Sequence, residues 1–156
     1  MALEVHRRAS EFELASSGDQ ENVNLTDYKG KNVVLLFFPF AFSPVCTDEL
    51  CGVSDGLSEF SRMGTDVLAV SVDSPFANAA FAKEENLGFP LLSDFNKEVA
   101  EKYGVLYNLG DFKGVAKRSA FIIDKNGVIQ YAWSSDDPQQ VPDFDEIKNE
   151  LAKLNG

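Results

Sequence analysis

The chain is predicted to fold as an α/β sandwich: a central mixed sheet flanked by helices, preceded by an N-terminal β-hairpin, in a single domain over residues 1–156. Three observations predict it. Val33 to Phe38 is a continuous apolar run, as a sheet strand buried on both faces requires, and Val67 to Val72 is another apolar stretch of strand length. The stretches that follow these runs carry apolar residues at helical spacing. Towards the end, Ala120 to Ile123 and Val128 to Trp133 flank Asp124-Lys125-Asn126-Gly127, and the Asn-Gly pair signals a hairpin.

Taken in order, Phe12-Glu13-Leu14 and Val23-Asn24-Leu25 alternate around Gly18-Asp19, which reads as a short hairpin. After the Val33 to Phe38 strand, the apolar positions Cys46, Leu50, Val53, Leu57 and Phe60 recur at spacings of four and three, one face of a helix. A helical pattern runs from Pro75 to about Asn86, and Pro90 to Ser93 is a short strand. Lys97 to Tyr103 is a short helix ended by Gly104, and Pro142-Asp143 opens a last helix to about Leu154. The thioredoxin fold with an N-terminal extension satisfies this order. So do other α/β folds, and element order alone does not choose among them.

With 156 residues, 44% apolar and 25% charged, the composition is that of a soluble globular domain large enough for a real core. No stretch is long and apolar enough to span a bilayer, and Met1 to His6 lacks a signal-peptide layout, so a cytoplasmic location is expected. A net charge of −11 argues against nucleic acid or an anionic membrane surface as partner. Two cysteines in such a chain point to catalysis before structure. With one histidine they do not make a closed zinc ligand set, and no metal or other cofactor is expected.

The first cysteine closes Pro39-Phe40-Ala41-Phe42-Ser43-Pro44-Val45-Cys46, which leaves an apolar strand and enters a helix. A thiol there sees the unpaired backbone N–H groups and the positive dipole end of the helix start. Both favour thiolate, the nucleophilic form. The competing reading is a small buried hydrophobe, the ordinary fate of a free cysteine.

Pro39-x-x-x-Ser43-x-x-Cys46 resembles the active-site signature of the peroxiredoxins: proline, three residues, threonine or serine, two residues, cysteine. Arg118 stands just before an apolar strand, where that family places its active-site arginine. Phe89-Pro90-Leu91-Leu92-Ser93-Asp94, Tyr103-Gly104-Val105 and Phe121-Ile122-Ile123-Asp124 extend the likeness over roughly Phe12 to Trp133. Within the family the chain is most similar to the alkyl hydroperoxide reductase E type, with the cysteine placement of the bacterioferritin comigratory (peroxiredoxin Q) type. It departs in reading Ala9-Ser10-Glu11-Phe12 for the usual Ala-Pro-Asp-Phe. Ser43 also replaces the commoner threonine, keeping the hydroxyl but losing the methyl that locks its rotamer.

The resemblance implies a thioredoxin fold and a thiol-dependent peroxidase acting on hydrogen peroxide and organic hydroperoxides. A thioredoxin-like or low-molecular-weight thiol would recycle it, and a homodimer is expected over a monomer. Cys46 would attack one peroxide oxygen while the other leaves as hydroxide or alkoxide, so donors are needed where that charge builds. The Ser43 hydroxyl and the backbone N–H groups of Val45 and Cys46 would serve, with Arg118 as a fixed charge and Pro39 covering the sulfur. Phe42 is a candidate collar for the substrate, although at least two of Phe37, Phe38, Phe40 and Phe42 are expected in the core. The plainer alternatives are a turn or N-cap role for Ser43, a solvated Lys117-Arg118 pair, and a Pro39 that merely ends a strand. His6, expected in a loose terminus, is given no role.

Cys51 is expected to resolve the Cys46 sulfenic acid as an intramolecular disulfide; the alternative is a one-cysteine peroxidase resolved by an external thiol. Five positions along an ideal helix separate Cα atoms by about 8.7 Å, beyond the ~7 Å a disulfide tolerates. The helix must therefore unwind locally. Gly52 and Gly56, each costing a helix roughly 1 kcal/mol relative to alanine, make that easier. A thioredoxin-like disulfide oxidoreductase would want Cys-x-x-Cys, and a cis-proline where Arg118-Ser119 stands. A holdase-like binding protein has nothing in the sequence to speak for it.

Overall fold

A computed structural model describes residues 4–17 and 22–155. Its axis is β3 (Asn32–Phe37), buried at every position. Alternate side chains on this strand point to opposite faces. Val33, Leu35 and Phe37 join one core cluster, while Val34 and Leu36, with Phe38 beyond the strand's end, join another. Only a strand sandwiched between layers can bury both sets, which is why its sequence is an unbroken apolar run.

Seven strands form one mixed sheet in the order β2-β1-β5-β4-β3-β8-β9. β4 (Thr65–Ser71) and β5 (Leu91–Ser93) run parallel to β3. β8 (Arg118–Ile123) lies antiparallel against its other edge, followed by β9 (Ile129–Ser135). β1 (Glu13–Ser16) and β2 (Asn22–Asn24) form the N-terminal antiparallel pair, with Leu14 opposite Val23, and β1 docks on β5. The Gly18-Asp19 turn predicted between them lies outside the described residues.

α1 (Pro44–Asp55), α2 (Leu57–Arg62), α3 (Pro75–Glu84) and α5 (Phe144–Asn155) contribute Leu50, Phe60, Phe81 and Ile147 to the core cluster that also contains Cys46. α4 (Glu98–Lys102) contributes Val99 and Ala100 to the cluster on the opposite face, where Tyr103 follows.

The structure differs from the expected elements, among other places, in the following three. The helix predicted from Cys46 through Phe60 is two helices, divided at Gly56. A two-stranded ribbon, β6 (Leu106–Leu109) and β7 (Phe112–Ala116), was not expected. It is largely half-exposed, so no apolar run marks it, and it turns through Gly110 at positive φ. His6 does not lie in a loose terminus: its N–H donates to the Ile129 carbonyl at 2.7 Å, and Arg8 bridges to Val128, which fastens this segment beside β9.

Candidate active site around Cys46

β3 gives out at Phe37, and Phe38 still donates its N–H to the Val70 carbonyl at 3.0 Å. Pro39, buried and without an N–H, adds nothing to the ladder. The chain then turns. Ala41 N–H donates to Asp73 Oδ2 at 2.8 Å, and Phe42 adopts φ 69°, a left-handed conformation that is uncommon for a bulky residue. Ser43, in extended conformation, is the N-cap of α1, and Pro44 occupies the first turn, where a missing N–H costs nothing. Val45 and Cys46 follow in that turn, so their N–H groups have no carbonyl one turn earlier to bond.

The opposite wall comes from β8. Ser119 pairs with Phe37, so Arg118 lies across from the point where β3 ends and the turn to α1 begins. Its side chain is only 1% exposed. Nη2 stands 3.1 Å from the fully buried Cys46 Sγ, and Nη1 meets Glu49 Oε1 at 2.5 Å. Nε and Nη2 donate to the Pro138 carbonyl at 3.1 and 2.9 Å. Four contacts thus fix the fork against the sulfur. Burial opposes the Arg118 charge, but Glu49 and the Cys46 sulfur more than offset it, raising the guanidinium pKa. Lys117 turns away to Asp136 at 2.7 Å, so the two basic residues are not a solvated pair.

A family model described as "AhpC/TSA family" matches residues 5–132. The chain belongs to this family. The chloroplastic 2-Cys peroxiredoxin BAS1 of Spinacia oleracea is 42% identical over 138 residues, 82% of this chain and 51% of that protein. The chain thus spans about half the length of that plant relative. Peroxiredoxin bcp of Coxiella burnetii is 41% identical over 137 residues, 85% of this chain and 89% of that one. Among solved structures, peroxidoxin BcpB of Mycobacterium tuberculosis superposes with TM-score 0.85 at 28% identity, covering 97% of this chain and 98% of that one. Peroxiredoxin Q of Xanthomonas campestris gives 0.82 at 26%, covering 93% and 92%. The central mixed sheet flanked by helices is the peroxiredoxin form of the thioredoxin fold.

In this chain the Ser43 hydroxyl donates to the Phe40 carbonyl at 2.9 Å, so its single proton is engaged within the turn. Its carbonyl accepts from Thr47 N–H at 2.9 Å and Thr47 Oγ1 at 2.8 Å. Phe37 and Phe38 are core. Phe40 stacks edge-on against Phe112 at 5.3 Å between ring centroids, while Phe42 is 53% exposed and packs on Phe81 at 5.0 Å.

Both cysteines are free, on one uninterrupted helix. They face different partners. Cys51 is half-buried, and its Sγ lies 3.8 Å from Glu85 Oε2. Burial pushes its thiol pKa up, and the carboxylates of Glu85, Asp55 and Asp48 push it the same way.

Two residues near the sulfur were not foreseen. Glu49 sits three positions after Cys46, hence on the same helix face, and is buried with its Oε2 unpartnered among the described residues. Burial pushes its carboxyl up to about 7, outweighing the pull of Arg118. An acidic residue bordering the stripe Cys46, Leu50, Val53 was the available signal. The second is Tyr107, whose hydroxyl is buried without a partner among the described residues. Burial raises its pKa, with Arg118 acting against the rise. Because β6 was unrecognised, nothing marked it. Among the described residues no cluster of three His, Cys, Asp or Glu is placed to hold a metal ion. No described helix is long and apolar enough to cross a membrane.

Proposed function

We propose that the chain is a thiol-dependent peroxidase that reduces hydrogen peroxide and organic hydroperoxides at Cys46. The observation carrying the reading is the Arg118 Nη2 to Cys46 Sγ contact of 3.1 Å inside a buried site at a helix start. A cation held there stays in place as negative charge moves from the sulfur onto the departing oxygen. The thiolate attacks one peroxide oxygen, the O–O bond breaks, and the other oxygen leaves as hydroxide or alkoxide. Cys46 is left as a sulfenic acid. Backbone N–H groups of Val45 and Cys46 would hold the peroxide, and Ser43 would join them once its hydroxyl rotates off the Phe40 carbonyl. Pro39 shields the sulfur from one side, and Phe42 forms part of the exposed rim.

Cys51 would then attack the sulfenic sulfur, giving a disulfide and water, and a thioredoxin-like or small thiol would reduce the disulfide. A single domain, a cytoplasmic location and a homodimer belong to the same reading; Phe42, Phe76, Phe95 and Phe112 expose apolar rings for a second copy to cover. A one-cysteine cycle is the alternative, favoured by the engagement of Cys51 with Glu85 on an intact helix. The test mixes reduced protein with one equivalent of peroxide in stopped flow and weighs the product. Rapid stoichiometric consumption, lost in Cys46→Ser with the fold retained, is expected. Turnover surviving in that variant would overturn the assignment. A product two hydrogens lighter marks the Cys46–Cys51 disulfide, and one heavier by an oxygen marks a persistent sulfenic acid.

A further inference from the structure

α3 ends in a turn that leads back onto α1. Leu87 N–H donates to the Ala82 carbonyl at 2.9 Å and Asn86 to Lys83 at 3.3 Å, with Asn86 at φ 54°. A left-handed residue closing a helix in this way makes a rigid stop. The segment it fixes, Glu85 to Gly88, meets α1 and the start of α2 at three successive points. Glu85 Oε2 lies 3.8 Å from Cys51 Sγ, and Gly88 N–H donates to Ser54 Oγ at 2.8 Å. Gly88 also packs so closely that a Cβ there would come within 3.0 Å of Leu57 Cδ2. Cys51 and Ser54 of α1 and Leu57 at the start of α2 thus face the end of α3 along one side.

We propose that Glu85 is a positioning residue that latches Cys51 to the end of α3, so that release from Glu85 and Gly88 sets the rate at which Cys51 reaches Cys46. The inference rests on the reading of Cys51 as the resolving thiol. In the latched state the Cys51 thiol donates to the Glu85 carboxylate. On release it attacks the sulfenic sulfur left on Cys46 by the peroxide. The S–S bond forms, the S–O bond breaks, and the oxygen leaves as water carrying the Cys51 proton. The charged groups facing Cys51 are Glu85 from α3 and Asp48 and Asp55 from α1, all acidic, so removing Glu85's charge also eases ionisation of the thiol.

The experiment follows the second, disulfide-forming phase after one equivalent of hydrogen peroxide in the full chain, checked by mass, across pH. Glu85→Ala, which removes both the acceptor and the charge, should speed that phase about threefold to tenfold, the usual worth of one hydrogen bond, and move its pH midpoint down. Ser54→Ala should speed it while leaving the midpoint in place, since no charge is lost. The first phase should be unchanged in both. An unchanged second phase and midpoint in Glu85→Ala would overturn the latch while leaving the resolving role of Cys51 standing. A second phase that survives in Cys51→Ser would instead remove the resolving role, and the latch with it.

Discussion

The two halves of α1 are built differently. In the first, Cys46, Glu49 and Leu50 are all buried, and Arg118 ties the cysteine and the glutamate to β8 and to the Pro138 carbonyl. In the second, only Val53 is buried; Gly52 and Asp55 are exposed, and the half-buried Cys51 and Ser54 are hydrogen-bonded to Glu85 and Gly88. Local stability follows buried contact, so one helix combines a fixed end and a releasable end. A reaction thiol gains from the first, because electrostatic stabilisation works only where the donors are already in place. A thiol that must travel gains from the second.

The contrast breaks hardest at Arg118. Arg118→Ala should slow the peroxide step by two to three powers of ten, about 3–4 kcal/mol of transition-state stabilisation. Arg118→Lys should recover only part, because a point charge cannot hold the sulfur, Glu49 and Pro138 at once. The readout is the second-order rate constant with hydrogen peroxide, with circular dichroism to confirm the fold. An unchanged constant in the alanine variant would mean the fixed end is structural only.

Glu49 sharpens the contrast through pH. Its folded-state value of about 7 lies above the ordinary 4.5, so the folded chain holds this proton more tightly than the unfolded one. The sign follows: the stability it contributes is complete below about 4.5 and is lost as pH rises through 7. The swing amounts to about 3 kcal/mol at most. Wild-type urea midpoints should therefore fall from pH 4.5 to pH 8, and Glu49→Gln should flatten that part of the curve. A variant with the wild-type slope would show that the burial of Glu49 carries no such cost.

What the sequence disclosed tracks how local each signal is. β3, β4 and the helices declared themselves because apolar runs and spacings of three and four are written within a dozen residues. The Cys46–Arg118 contact joins residues 72 apart, and only a resemblance pointed to it. Glu49 escaped because an acidic residue on a helix ordinarily faces water; its burial depends on a guanidinium delivered by another strand. The β6–β7 ribbon escaped because strands half open to solvent need no apolar run. The occupied Ser43 hydroxyl could not be read either, since its acceptor depends on the turn's conformation.

The smallest effect tests the loose end directly. Gly52 has no atom within 4 Å of where a Cβ would stand, and Gly56 would meet only ordinary backbone contacts at 3.7 and 4.0 Å. Neither has positive φ, so alanine fits both without strain. Gly52→Ala, within the helix, should then favour the wound state by roughly 1 kcal/mol, and Gly56→Ala, at the junction, by less. If unwinding limits resolution, Gly52→Ala slows disulfide formation about fivefold and leaves the peroxide step untouched, because the Cys46 end does not change. A longer-lived sulfenic acid is also exposed to more peroxide, so the double variant should reach sulfinic acid at lower concentrations. The measurement is a two-phase fluorescence trace with Trp133 as reporter, with masses taken after each phase. Equal second-phase rates in wild type and double variant would mean that sulfur chemistry, not the helix, sets the pace. The difference between the two ends of α1 would then be one of packing alone.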